Sequence, residues 1–134
     1  MKAEFGDEFT HYGIGWGPGV AHAPPLKEVE IYRRSLIAIG ADHYIRPYFA
    51  SDRLLRSQAC GACVLQQRYT GLKKEHEWVR PWDTLDELVI MCKEMLEAPQ
   101  LVPYIGRMQA KHVQENCRWS NRVQQLETII AKYR

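Results

Sequence analysis

The sequence predicts an α/β domain, a Rossmann-like parallel sheet with helices on both faces. Three observations carry that expectation. Two short unbroken apolar runs, LIAIG at 36–40 and ACVLQQ at 62–67, have the length and composition of strands covered on both sides. Around them stand helix start and stop signals: Ser51 ahead of DRLLRSQA, Gly61 just after it, and Thr84 three residues before Glu87. The connections are short, and strand, helix, strand, helix, strand in that order packs as a parallel sheet between helices.

Taken in order, FTHYG (9–13) has strand character and runs into GIGWGPG and VAHAPP, a stretch with too many Gly and Pro for anything but loop. Pro25 opens a helix through LKEVEIYRRS, with Leu26, Val29 and Ile31 or Tyr32 near one face. The strand at 36–40 leads through ADHYIRPYFA to the helix capped by Ser51, with Asp52 in the favoured first turn. After the strand at 62–67, EWVRPW (77–82) reads as a weaker strand that Pro81 ends. Thr84 and Glu87 then make a capping box, and Leu85, Leu88, Val89, Cys92, Met95 and Leu96 share one face of the next helix. Pro103 lies in the first turn of a helix reaching about Asn116. Ser120 is expected to cap a last one, whose Val123, Leu126, Ile130 and Tyr133 form an apolar stripe. These extra C-terminal helices are expected to pack outside the sheet.

Composition bounds the function. A chain of 134 residues, 46% hydrophobic and 25% charged, supports a single domain over 1–134. A net charge of +2 argues against a dedicated nucleic-acid binder. No apolar run approaches the roughly 20 residues of a membrane span, and the first residues do not read as a signal peptide, so a cytoplasmic location is expected. Cys60, Cys63, Cys92 and Cys117 are accordingly expected as reduced thiols.

The CxxC of QACGACVLQQR invites a redox or zinc reading. In thiol oxidoreductases the reactive Cys begins a helix, whose positive dipole end holds the thiolate. Here Cys60 ends a helix and Cys63 enters a buried strand, so both settings disfavour the charged form. A zinc site needs further ligands, and neither a second CxxC nor a spaced His pair completes one. Both cysteines therefore read as small core residues, and no metal is expected.

A parallel sheet places its ligands at the carboxyl ends of the strands, where loops lead into helix N-termini and anions bind well. Three loops qualify: 13–25, 41–52 and 67–76. Arg46, Arg53, Arg56, Arg68, Lys73 and Lys74 concentrate there and match a phosphate-bearing ligand; taken singly, each also fits an ordinary solvated cation. GIGWGPG is not a dinucleotide fingerprint, because Pro18 and loop follow where that motif opens a helix.

The order YGIGW, YRRSLIAIG, SDRLLRSQACGACVLQ, RYTGL, PWDTLDELVIMCKEMLEAP and RWSNRVQQLETI resembles the C-terminal nucleotide-sugar domain of GT-B glycosyltransferases, and within them the CgeB-like family 1 transferases, over about residues 9–130. The resemblance implies an incomplete GT-B C-terminal domain that binds a nucleotide-diphosphate sugar and needs no other cofactor. Gly13, Gly15 and Trp16 would approach the base. Ser51, Asp52, Arg53 and Arg56 would approach ribose and diphosphate, joined by Tyr69 and Gly71 on the next loop. Arg53 is the implied catalytic residue, steadying the departing diphosphate electrostatically; its alternative is an ion pair with Asp52 or a neighbouring carboxylate. Two departures qualify this. The ribose-binding Glu of many relatives is replaced by Arg56, which cannot accept a hydrogen bond, and its partner Glu falls at Tyr48. The acceptor domain and the first strand and helix units have no counterpart before residue 9. The chain is therefore expected to be a fragment or split product, inactive alone, with a second chain or a second copy covering the missing part of the sheet. The alternative is a non-catalytic α/β interaction module derived from a glycosyltransferase.

Overall fold

The structure, a computed structural model, describes residues 1–12, 23–42 and 45–133. Among these the chain forms α1 (Lys2–Phe5), a 3-10 turn at Gly6–Glu8, α2 (Pro25–Arg34), β1 (Ile37–Gly40), α3 (Asp52–Ala59), β2 (Cys63–Gln67), α4 (Leu72–Glu75), β3 (Arg80–Trp82), α5 (Leu85–Glu97), α6 (Leu101–Asn116) and α7 (Trp119–Ala131). The strands form one parallel sheet in the order β1-β2-β3, with Ile37 opposite Cys63 and Leu65 opposite Arg80.

The period of two along each strand divides the core. Ile37, Ile39, Cys63 and Leu65 pack on one face with Leu88, Met91, Cys92 and Met95 of α5, Val102 of α6, and Met1 and Phe5. Ala38 and Val64 pack on the other with Leu54 of α3, Leu72 of α4, Tyr69, Val79 and the half-buried Tyr32 of α2. Leu65, Leu72 and Leu88 are at most 1% exposed, and burial of a side chain of that size is worth about 1.5–3 kcal/mol.

The helix ends follow local chemistry. Ser51 Oγ accepts from Arg53 N at 3.2 Å and caps α3, which Gly61 stops with φ at 86°. Thr84 Oγ1 accepts from Glu87 N at 3.2 Å, while Glu87 Oε2 reaches back to Asp83 N at 2.7 Å, one residue before the cap.

α6 begins on the α5 face, where Val102 packs, and passes the amino end of β2. Gly106 permits this, since a Cβ there would overlap the Gly61 carbonyl. One turn on, Gln109 is fully buried: Nε2 donates to Val64 O at 3.1 Å and Trp78 O at 3.0 Å, and Oε1 accepts from Val64 N at 2.8 Å. The β2–β3 ladder starts only at Leu65 and Arg80, so this carboxamide takes the place of the missing strand residue at the mouth of the ladder.

Several expectations are corrected. Residues 9–12 are not a strand, and two short helical turns at 2–8 precede them; Gly13 and the rest of the expected loop through His22 lie outside the described residues. With no strand at 9–12, β1 forms one edge of the sheet among the described residues. The weak third strand is confined to Arg80–Trp82 and contains Pro81, which an edge strand tolerates. Leu85 and Leu96 of α5 face outward, and Met91 takes their place in the core. Arg118, not Ser120, precedes α7, with its N–H bonded to Asn121 Oδ1 at 3.0 Å. The apolar stripe of α7 stands in solvent: Val123, Leu126 and Ile130 are each more than half exposed.

Replacing Gln109 by Leu keeps the volume and strands Val64 N–H, Val64 C=O and Trp78 C=O without partners. Each unsatisfied buried group costs about 1–3 kcal/mol. The urea midpoint of Gln109→Leu is therefore expected to fall by the equivalent of at least about 2 kcal/mol, against little change for Gln125→Leu on exposed α7.

Candidate functional site

The carboxyl ends of the strands meet the loop residues 41–42, 45–51 and 68–71. Gly40 closes β1, and a Cβ there would overlap the Gln66 carboxamide; its absence lets Gln66 Nε2 cross to Asp42 Oδ2 at 3.0 Å. Tyr48 has φ at 56° and donates its N–H to Thr70 O at 2.8 Å. Its ring lies where a Cβ on Gly71 would stand, and Gly71 itself has φ at 100°. The two loops are thus pinned together beside the N-terminus of α3. Tyr48, Arg68, Tyr69, Gly71, Lys73 and Lys74 line a cleft of about 370 Å³ there. A cleft of about 440 Å³ between β3 and α5 is lined by Arg80, Glu87 and Glu94, with Arg80 paired to Glu94 at 3.7 Å, which leaves it poorly suited to an anion.

The cations of this rim are engaged to different degrees. Arg53 turns Nε toward Ser51 Oγ at 3.2 Å and pairs with no described carboxylate, so the Asp52 ion pair weighed for it is not formed. Asp52 pairs instead with Arg56 Nη2 at 3.1 Å, and Arg56 Nη1 meets Glu28 Oε2 at 2.7 Å. Arg68 Nε sits 2.8 Å from both oxygens of Asp83. Lys73 donates to Glu77 O and, at 3.4 Å, to Val79 O. Tyr69 is buried with its hydroxyl unpartnered, and burial together with Glu75 and Asp42 pushes its pKa up to about 12, so it stays a neutral donor. Of the residues singled out in the sequence, the structure brings together Ser51, Asp52, Arg53 and Arg56 on α3 and sets Tyr69 and Gly71 on the adjoining loop. Gly13, Gly15 and Trp16 lie outside the described residues.

The profile of the glycosyl transferase-like family matches residues 1–128. The chain belongs to that family. Comparison with curated proteins and with solved structures returns no match. In this glycosyl transferase-like chain no helix among the described residues is long and apolar enough to cross a membrane.

The CxxC cysteines are unpaired thiols. Burial pushes Cys63 up to about 12, and it also raises Cys60 against the opposing charge of Arg33. A different set of ligand-type side chains converges elsewhere: His76, His112 and Cys117, with candidate ligand atoms all within 4.8 Å of one another. Their separations of 36 and 5 residues match no motif, so the sequence gives no warning of them. They are assembled by α6 running past the sheet to α4, where His112 Nε2 meets Glu75 O at 2.6 Å.

His76 is 5% exposed, and burial, followed by His112 and Arg122, lowers its pKa from 6.5 to about 4. The unfolded chain therefore binds a proton there that the folded chain refuses. The contribution is fully present above pH 6.5 and is lost as pH falls toward 4, with a slope of at most about 1.4 kcal/mol per pH unit. Urea titrations of chelator-treated protein between those pH values are expected to show this slope, and His76→Gln is expected to flatten it.

Proposed function

We propose that this chain is the donor-binding half of a glycosyltransferase, holding a nucleotide-diphosphate sugar along the loops 41–51 and 68–74. The observation that carries the reading is the N-terminus of α3. The segment leading into it is pinned through Tyr48 to Thr70 and Gly71, just ahead of α4 with its Lys73 and Lys74, and Arg53, unpaired with any described carboxylate, stands on the first turn of α3. A helix start supplies free N–H groups and a positive dipole end, and charged donors add stronger hydrogen bonds to phosphate oxygens. Arg53 swings from Ser51 to the diphosphate in this reading and stabilises it as the leaving group. In the GT-B arrangement the acceptor is held by a second domain across a cleft, so transfer would need a second chain or a second copy. The exposed Val123, Leu126 and Ile130 of α7 offer apolar surface for it. A cytoplasmic setting, where nucleotide sugars are made and thiols stay reduced, belongs to the same reading.

The non-catalytic interaction module has its own support. Arg56 and Arg68 are held in ion pairs by Glu28, Asp52 and Asp83, so part of the rim's positive charge is neutralised within the fold.

Calorimetry with UDP, GDP and their sugars separates the two. The donor reading expects saturable heat with at least one nucleotide, and a Kd about tenfold or more weaker in Arg53→Ala, the size of one charge-assisted hydrogen bond. No heat with any nucleotide favours the module. Sedimentation of the same sample over a range of concentrations is expected to show self-association, and a monomer throughout would leave a different chain as the partner.

A further inference from the structure

Ser51 caps one end of α3, and a polar cluster gathers around Gln58 in the last turn at the other. There His76 follows α4, His112 lies one turn before the end of α6, and Cys117 is the residue that terminates α6. We propose that His76, His112 and Cys117 bind a divalent transition metal of the zinc class, with a fourth position open to water.

The geometry is close to what such an ion needs. Tetrahedral zinc takes nitrogen at about 2.0–2.1 Å and sulfur at about 2.3 Å, which places two nitrogens and a sulfur about 3.3–3.6 Å apart. The three candidate atoms are already within 4.8 Å of one another, so side-chain rotation closes the set. Two imidazoles and a thiolate, without a carboxylate, select zinc or cobalt over magnesium or calcium. The C-terminal end of the 16-residue α6, the negative end of its dipole, lies at the same place, where a cation is favoured. Burial holds the Cys117 thiol above its usual range, so the metal itself must draw off the proton; Arg122, at the start of α7, acts against that burial effect and turns its Nη1 to Gln125 Oε1 at 3.0 Å.

The surrounding hydrogen bonds supply the orienting contacts that metal-bound histidines use. His112 Nε2–H donates to Glu75 O at 2.6 Å, which leaves Nδ1 as its metal-binding nitrogen. Asn116 Nδ2 approaches that Nδ1 at a long 3.5 Å. His76 Nδ1 lies 3.3 Å from Gln58 Nε2, which leaves Nε2 as its metal-binding nitrogen. A metal there puts the proton on Nδ1, and that proton needs an acceptor. Gln58 has one: its Oε1 is buried and without a partner. Bringing Oε1 onto His76 Nδ1–H gives up the Nε2 bond to Leu54 O at 3.0 Å and requires the carboxamide to shift off that carbonyl; the Ser57 hydroxyl, 2.8 Å from Arg53 O and 3.1 Å from Leu54 O, can turn to the latter. The bound metal would join α4 to the end of α6 and fix the direction in which α7 leaves the domain.

The test is a cobalt titration of the full chain, prepared metal-free, followed by absorption and then by zinc competition. The expected result is one metal per chain, with tetrahedral d–d bands and a thiolate-to-cobalt charge-transfer band that zinc bleaches. Cys117→Ser should abolish the thiolate band, Cys60→Ser should leave it intact, and His112→Asn should weaken affinity by more than about tenfold, the range that loss of an outer-shell partner alone produces. Zinc should raise the Tm of the unmodified chain and of Cys60→Ser, but not of Cys117→Ser. Absence of a thiolate band in the unmodified chain would overturn the proposal, as would a band that survives Cys117→Ser or disappears in Cys60→Ser. The spectrum of the unmodified chain decides the matter if a variant fails to fold.

Discussion

The carboxamide of Gln109 is the contact on which the rest of the molecule depends. The central strand of a three-stranded sheet needs partners on both sides, yet the pairing between β2 and β3 does not begin until Leu65 and Arg80. Gln109 meets both polar groups of Val64 and the carbonyl of Trp78, completing the ladder from a helix. That contact, with the close approach at Gly106, fixes the path of α6 past the amino end of the sheet. The path then determines which residues meet at the far side: His112 and Cys117 come to His76 because α6 can take no other line.

The opposite end of α3 is held by different means. Tyr48 against Gly71 locks two loops that the chain separates by a helix and a strand, and Gln66 spans to Asp42 across the gap left by Gly40. The result is a rigid rim with a graded set of cations. Arg56 and Arg68 serve the fold, since each is neutralised by a carboxylate within 3.1 Å. Exposed pairs of this kind add little stability, typically less than about 1 kcal/mol, so their main effect is on the potential that an approaching anion meets. Arg53 turns to the Ser51 hydroxyl, and no described carboxylate offsets its charge.

Much of the fold was legible because local and global signals agreed. The runs at 36–40 and 62–67 are strands in parallel register, and Ser51, Gly61 and Thr84 mark helix ends as their chemistry requires. Where periodicity alone was asked to decide, it failed. FTHYG has strand character, yet residues 9–12 join no ladder with a described strand and stay irregular. The stripe on α7 looks like a buried face and lies in solvent, because amphipathicity states that a face is apolar without stating what covers it. Of the rim, the α3 start was readable from its cap, whereas the pinning of Tyr48 on Gly71 depends on two left-handed residues that no spacing announces. His76, His112 and Cys117 were invisible for a related reason: metal-ligand spacing rules describe local loops, and here the ligands are joined by a sheet crossing.

The proposed donor site lies at the carboxyl rim, between the start of α3 and the loop after β2. Amide chemical-shift mapping of the labelled chain with a UDP- or GDP-sugar tests it most directly. The largest changes are expected at Arg53 and Leu54 and at Tyr69 to Lys74, with the amides of α5 and α7 unmoved. Shifts centred on α5, or none at saturating donor, would contradict it.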